Sequence, residues 1–253
     1  MKSDYPTMQQ LPALRELWKL AFGDDDEFLD SFFSTGFSHR RSLCITEQGL
    51  VAAALYWFDC SCGDRKLAYL YAVATHPDFR GQGLCRQLIS DTRELLTAQG
   101  YDGILLVPEN DSLRKMYGRM DFANGTKIRD FVCGSQSGAV DIHPITREDY
   151  ARLRRISVPA DSVLQEGENL LFLETQAKFF AGSGFLLCAV RGENDNLRGI
   201  EYLGPTELCP RILCTLGYAH GSFRTPGNQQ EFAMWLPLTE GTPVPAYFGL
   251  DFS

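Results

Sequence analysis

The chain has 253 residues, 44% of them hydrophobic, with 24 Lys plus Arg against 32 Asp plus Glu and a formal net charge of −8 at pH 7. That length accommodates one large domain or two of ordinary size, since domains commonly run ~100–150 residues. A pI near 5.1 with a mean hydropathy of −0.17 argues against nucleic-acid and anionic-membrane partners and suits a cationic substrate.

Eight cysteines are too few for a disulfide scaffold in a chain this long. Cys44, Cys133 and Cys188 sit singly in apolar stretches, as buried free thiols do. Cys60, Cys62, Cys209 and Cys214 lack companions at zinc-ligand spacing, so no metal site is expected. The start of the chain leads into no apolar signal core, and the longest apolar run, residues 50–58, falls far short of the ~20 residues of a membrane span. The expectation is a cytoplasmic protein.

Leu14, Leu17, Trp18, Ala21 and Phe22 fall at helical spacing, with Gly23 as the stop. Asp24-Asp25-Asp26-Glu27 opens a second helix with the apolar face Phe28, Leu29, Phe32 and Phe33. Carboxylates at a helix start are stabilising; attraction of an amine toward a cleft is the functional alternative. Residues 42–46 and 50–58 read as strands joined by a tight turn at Glu47-Gln48-Gly49, and residues 60–65 turn the chain again.

Residues 67–75 are apolar, β-branched and aromatic, a buried strand stopped by His76-Pro77-Asp78. From Leu84 the period changes. Leu84, Leu88 and Leu95 form one row, flanked by Cys85, Ile89, Thr92 and Leu96, which predicts an amphipathic helix over residues 84–99 capped by Gly100. Between strand and helix lies Arg80-Gly81-Gln82-Gly83. Glycines admit close approach of a ligand to the backbone, and the unpaired amides of a first helical turn attract phosphate. No Lys-Ser or Lys-Thr follows Gly83, which excludes a nucleotide P-loop. Arg86 stands where a dinucleotide fingerprint needs its third glycine.

Residues 104–107 form a short apolar strand ended by Pro108, completing a right-handed strand–helix–strand unit with parallel strands. Asn110-Asp111-Ser112 offers helix caps, and Leu113, Met116, Tyr117 and Met120 give the next helix its stripe, ended at Asp121-Phe122. Residues 126–133 read as a final strand. The pattern R-x-x-G-x-(small), at Arg80, Gly83 and Cys85, closely resembles the coenzyme A diphosphate loop of the GNAT N-acetyltransferase superfamily, including the His-Pro-Asp-Phe lead-in. The resemblance covers the first helix through Cys133. It implies that acetyl-CoA is the donor, with its diphosphate on the amides of Gly81, Gln82, Gly83, Leu84, Cys85 and Arg86 beside Arg80. It implies that pantetheine pairs with main chain at Val73, Ala74 and Thr75, and that an amide near Ala74 meets the thioester oxygen. Asn110 and Tyr117 match the family's asparagine at the strand end and tyrosine in the following helix, which makes Tyr117 the candidate acid for the departing thiolate. Cys85 stands where the family carries glycine or alanine, and Asp121 where it carries glycine. Arg114 and Lys115 suit surface solvation better than a phosphate. Glu47, Glu109, His76 and the carboxylate at Ser253 are options for a base; none has a spacing argument and none is assigned.

Residues 134–138 are small and polar, a linker, which divides the chain into a GNAT domain at 1–135 and a second domain at 139–253. In the second, helices are expected from Thr146 and over residues 170–180, a hairpin at 185–190 and 197–203, a short helix at 208–216, and closing strands at 232–236 and 247–252. No second R-x-x-G-x-G occurs, so this half is read as a degenerate GNAT-like repeat, with an unrelated α+β domain as the alternative. The fold class is α/β with a mixed sheet. The expected activity is acetyl-CoA-dependent N-acetylation of a small-molecule or peptide amine; a noncatalytic acyl-CoA-binding module and an ATP-binding protein are the competing functions. Oligomeric state is not legible.

Overall fold

The computed structural model describes residues 2–252 and builds them around two mixed sheets. In chain order the main elements are α1 (Leu11–Phe22), α2 (Asp26–Ser31), β1 (Ser42–Glu47), β2 (Leu50–Cys62), β3 (Arg65–Thr75), α3 (Leu84–Ala98), β4 (Gly103–Leu106), α4 (Asp111–Gly118), β5 (Ala123–Asn124) and β6 (Lys127–Gly134). There follow β7 (Ile142–Pro144), α5 (Arg147–Ser157), α6 (Glu168–Glu174), β8 (Lys178–Gly182), β9 (Phe185–Arg191), β10 (Leu197–Leu203), α7 (Cys209–Leu216), β11 (His220–Pro226), β12 (Gln230–Glu231) and β13 (Met234–Pro237). The chain separates into two units, Met1–Ala123 with Met234–Pro243, and Asn124–Ala233 with Val244–Ser253.

The first sheet runs β1-β2-β3-β4-β13-β5. Gln48 (φ 49°) and Gly49 (φ 82°) close the β1–β2 hairpin, the paired positive φ of a two-residue turn whose twist matches the strands. The next hairpin is tighter than expected: β2 continues to Cys62 and β3 starts at Arg65, because Cys60, Ser61 and Cys62 pair with Leu67, Lys66 and Arg65. Period-two alternation assigns the two faces. Ala68 and Leu70 enter one core with Leu84, Leu88, Leu96 and Tyr117 from α3 and α4. On the other face Tyr56 and Tyr71 meet Trp18 of α1, with ring centroids at 5.3 and 5.6 Å.

The second sheet runs β12-β6-β11-β10-β9-β8-β7. Strands β10 and β11 are parallel with α7 between them, repeating the β3–α3–β4 arrangement of the first unit. The loop before α7 has no anion cradle: it carries Glu207, and Pro210 removes an amide from the first turn.

Three expectations are corrected. The helix expected over residues 170–180 ends at Glu174, and Lys178–Gly182 is strand β8, where Phe179 and Ala181 alternate inward and pair with β9. Strand β6 does not close the first sheet; it pairs with β11 of the second. The vacated place beside β4 is taken by β13, antiparallel and in register from Met234 opposite Leu106 to Pro237 opposite Gly103. The division at 134–138 therefore moves to residue 123, with 234–243 returning to the first unit. Finally, residues 247–252 form no strand; Tyr247, Phe248, Leu250 and Phe252 are buried in extended chain, tied by Val163 N–H to Tyr247 O at 2.8 Å.

The β4–β13 contact is tight. A Cβ added to Gly103 would stand 1.9 Å from the Trp235 ring. Gly103→Ala is therefore expected to destabilise the protein by about 1–3 kcal/mol through overpacking, read from urea unfolding; an unchanged midpoint would contradict the pairing of β13 with β4.

Candidate functional site

Strand β3 pairs with β4 only at Leu67, Ala68 and Tyr69. Beyond Tyr69 it continues to Thr75 against β2 alone, so its other edge is open over residues 72–75 among the described residues. Within that stretch Ala72 holds φ 49°, and the register with β2 slips between Ala54 and Tyr56. This is a β-bulge: Ala72 and Val73 together oppose Leu55. A left-handed alanine is strained by ~1–3 kcal/mol. Nothing in the sequence announces it, since alanine carries no preference for that conformation.

After β3 the chain turns through Pro77–Phe79 into the glycine loop. Gly81 (φ 77°) and Gly83 (φ 81°) both need the left-handed region, and a Cβ on either would meet open space within 4 Å. Gly83 is the N-cap of α3 and no side chain caps it. The first intrahelical bond, Gln87 N–H to Gly83 O at 3.0 Å, leaves the amides of Leu84, Cys85 and Arg86 without helical acceptors. Two exposed cations flank the loop. Arg80 Nε donates to Thr75 O at 3.3 Å, and Arg86 Nη1 to Arg119 O at 3.1 Å at the end of α4. The arrangement is an open, positively polarised concavity of main-chain donors next to an open strand edge.

Tyr117 lies in α4 over the same end of α3, 6% exposed and edge-on to Phe122 at 5.8 Å. Burial, and then the neighbouring Cys85, hold its hydroxyl proton well above the usual phenol range. Burial pushes the Cys85 thiol up to about 11, against a smaller opposing pull from Arg86. Asn110 caps α4, its side-chain oxygen accepting from Leu113 N–H at 3.0 Å. Val73, Ala74 and Thr75 thus line the open edge, residues 80–86 the cradle, and Tyr117 and Cys85 meet behind it.

The remaining candidates stand apart. His76 belongs to the turn: its N–H donates to Ala52 O at 2.8 Å and its Nδ1 accepts from Asp78 N–H at 3.3 Å. Glu47 ends β1 at the hairpin and Glu109 is exposed. Ser253 lies outside the described residues. The acidic run before α2 is consumed locally: Asp24 accepts from Trp18 Nε1 at 2.8 Å, Asp25 from Phe28 N–H at 2.9 Å, and Asp26 pairs with Lys19 at 2.7 Å. The first unit has a cleft of about 770 Å³ at the far end of α3, by Tyr101, and the second unit one of about 530 Å³ beside α5 and α6. They share none of the cradle's main-chain donors. Among the described residues no helix is long and apolar enough to cross a membrane, and no group of three or more His, Cys, Asp and Glu side chains could hold a metal.

A thiol kept protonated is a poor nucleophile. Iodoacetamide at pH 8 is therefore expected to alkylate the exposed Cys214 well before the half-buried Cys85, as followed by peptide mass spectrometry; early modification of Cys85 would contradict its raised pKa.

Residues 4–125 match the family of acetyltransferase (GNAT) domains. No curated protein sequence matches the chain. Solved structures share its fold at low identity. A GCN5-related N-acetyltransferase from Kribbella flavida is 16% identical with a TM-score of 0.69, over 94% of this chain and 72% of that one. One from Anabaena variabilis is 13% identical with a TM-score of 0.69, over 94% and 73%. A putative acetyltransferase from Pyrococcus horikoshii is 10% identical with a TM-score of 0.62, over 98% and 93%. The glycine loop and the parted parallel strands lie within the matched residues 4–125, which form an acetyltransferase (GNAT) domain, a family of acyltransferases.

Proposed function

We propose that the protein is an acetyl-CoA-dependent N-acetyltransferase of the cytoplasm acting on a primary amine. The observation that carries the reading is the conjunction of three uncapped amides at the start of α3 with an unpaired edge on β3, within one strand–loop–helix connection. The residues present fit the donor. Uncapped helix-start amides complement a diphosphate, glycines at 81 and 83 leave its approach clear, and Arg80 and Arg86 add positive charge. The parted edge at Val73, Ala74 and Thr75 offers main-chain partners for the amide-bearing pantetheine arm.

The donor supplies an acetyl thioester, and three tasks fall to this chain. Amides of residues 81–86 hold the phosphates. An amide of the bulged segment near Ala74 is placed to donate to the carbonyl oxygen as it gains charge; a preorganised donor of this kind is typically worth ~10²–10³ in rate. Tyr117 donates a hydrogen bond to the sulfur as the C–S bond breaks. Because burial raises its pKa, complete proton transfer to a thiolate whose acid lies near ~8.5 is uphill, so its contribution is the hydrogen bond and not a free proton. In balance, the new N–C bond replaces the C–S bond, and the proton shed by the amine ends on the CoA thiol. At pH 7 an amine of pKa ~10 is neutral only about once in a thousand molecules, so deprotonation sets a rising limb of rate with pH. The raised Tyr117 pKa predicts that this residue adds no falling limb up to about pH 10.

A noncatalytic acyl-CoA-binding module is the second reading, favoured by the tightly held Tyr117 proton. CoA binding is common to both. Release of CoA from acetyl-CoA with a panel of amines separates them, since the second predicts none.

Gly83→Val forces a β-branched residue into the left-handed region and fills the cradle. Loss of one charge-assisted amide contact, ~1.5–3 kcal/mol, is expected to raise the acetyl-CoA Kd roughly tenfold or more, measured by calorimetry; wild-type affinity would place the diphosphate elsewhere. Tyr117→Phe is expected to lower kcat by ~10²-fold, the scale of losing one preorganised hydrogen-bond donor, while leaving that Kd unchanged, and unchanged turnover at saturating acetyl-CoA would remove Tyr117 from the chemistry.

A further inference from the structure

An amine that attacks a thioester held along the open edge of β3 must approach from a face of the first sheet that the protein has not filled. The face of Ala68 and Leu70 is filled by α3, α4 and Tyr117. The opposite face carries a cluster of rings. Trp18, Phe32, Tyr56 and Phe58 are buried at its centre, with Trp18 and Phe32 at 4.5 Å and Phe32 and Tyr56 at 5.1 Å. Around them Phe28, Phe33, Phe37 and Tyr71 remain only half-buried. Tyr71 immediately precedes the bulged Ala72.

Two local irregularities meet at these rings. One is the left-handed Ala72. The other is a π-helical turn, Phe32–Gly36, that continues α2; such turns recur at functional sites. The turn packs closely at Gly36, where a Cβ would lie 3.0 Å from the Phe58 ring. The turn sets Phe33 and Phe37 5.1 Å apart, while Phe32 joins it to Tyr71 at 5.8 Å. Strain of this kind persists where the surroundings hold it and clusters at ligand sites.

The charges beside the rings discriminate between classes of amine. Asp24, Asp25 and Asp26 are bonded to Trp18, Phe28 and Lys19, and Asp30 to Arg15 at 2.7 Å. Arg15 itself lies 5.4 Å over one face of Phe33. Four carboxylates beside the rings are thus already engaged, and a polycation would need several uncommitted acids at intervals. Ring faces also attract a single ammonium on approach.

Resting on the acetyl-transfer reading, we infer that the acceptor is a small primary amine whose carbon skeleton ends in an aromatic ring, with Phe33, Phe37 and Tyr71 determining that specificity. The ring packs against theirs, and the amino group lies toward the bulge.

The test compares 2-phenylethylamine and tryptamine with spermidine and glucosamine in a CoA-release assay on the full chain. The arylalkylamines are expected to have the highest kcat/KM, and Phe33→Ala to raise their KM by ~10-fold or more, the scale of losing apolar contacts in a pocket, with the KM for acetyl-CoA unchanged. Phe33→Leu, a milder change, is expected to fall between the two. Preference for spermidine or glucosamine, or wild-type KM in both variants, overturns the inference. If no amine is turned over, calorimetric titration of 2-phenylethylamine into the CoA-loaded protein decides. Binding weakened by Phe33→Ala supports the aromatic site and overturns acetyl transfer, whereas no binding overturns the site as well.

Discussion

The first unit depends on how far one parallel pairing extends. Three residues of β3 pair with β4 and the next six do not. Had the ladder continued, main-chain groups near Val73, Ala74 and Thr75 would be spent on the sheet, and nothing would be left along that edge for a ligand. The bulge at Ala72 accompanies the parting. It displaces the strand by one residue, so Tyr71 still faces the rings while Val73 packs toward the core under α3. The same connection then delivers the glycine loop and the uncapped start of α3. The open edge and the glycine loop therefore follow one another within a single strand–loop–helix connection.

The second unit has the same strand–helix–strand core but a different interior. Arg154 and Glu201 are 1% and 0% exposed and meet through two bonds, Nε to Oε2 at 2.6 Å and Nη2 to Oε1 at 2.9 Å. Tyr150 donates to the same carboxylate at 2.7 Å, and Arg154 Nη1 donates to Val163 O at 2.9 Å. Desolvating two charges is costly, and mutual pairing with satisfied donors offsets it. Arg224 pairs with Asp251 of the C-terminal segment and with Asp130 at 3.3 Å. Polar links thus pin α5, β10 and the last residues of this unit, where the first unit keeps half-buried rings beside an open edge.

Much of the first unit was legible because its signals are local. The strand, the glycines at 81 and 83, the row from Leu84 through Leu88 to Leu95 and the caps at Asn110 and Gly100 follow from period, φ preference and side-chain chemistry within a few residues. The cradle needs nothing more. In the second half the alternation of Phe179 and Ala181 was masked by the apolar run that precedes it, and helix and strand periods cannot be separated over so short a stretch.

The sequence by itself determined the α/β class and the glycine loop that leads into α3, since each rests on backbone preferences that neighbouring residues set. Only the tertiary structure decided which sheet each late strand joins. Residues 126–133 and 232–236 both read as strands, and nothing local to either names its partner. The choice was made by partners far away in the chain: Phe131 stacks on Phe223 at 5.7 Å, and the Trp235 ring fills the space that Gly103 leaves bare. The left-handed Ala72 was likewise decided by long-range packing, for alanine has no local reason to adopt it.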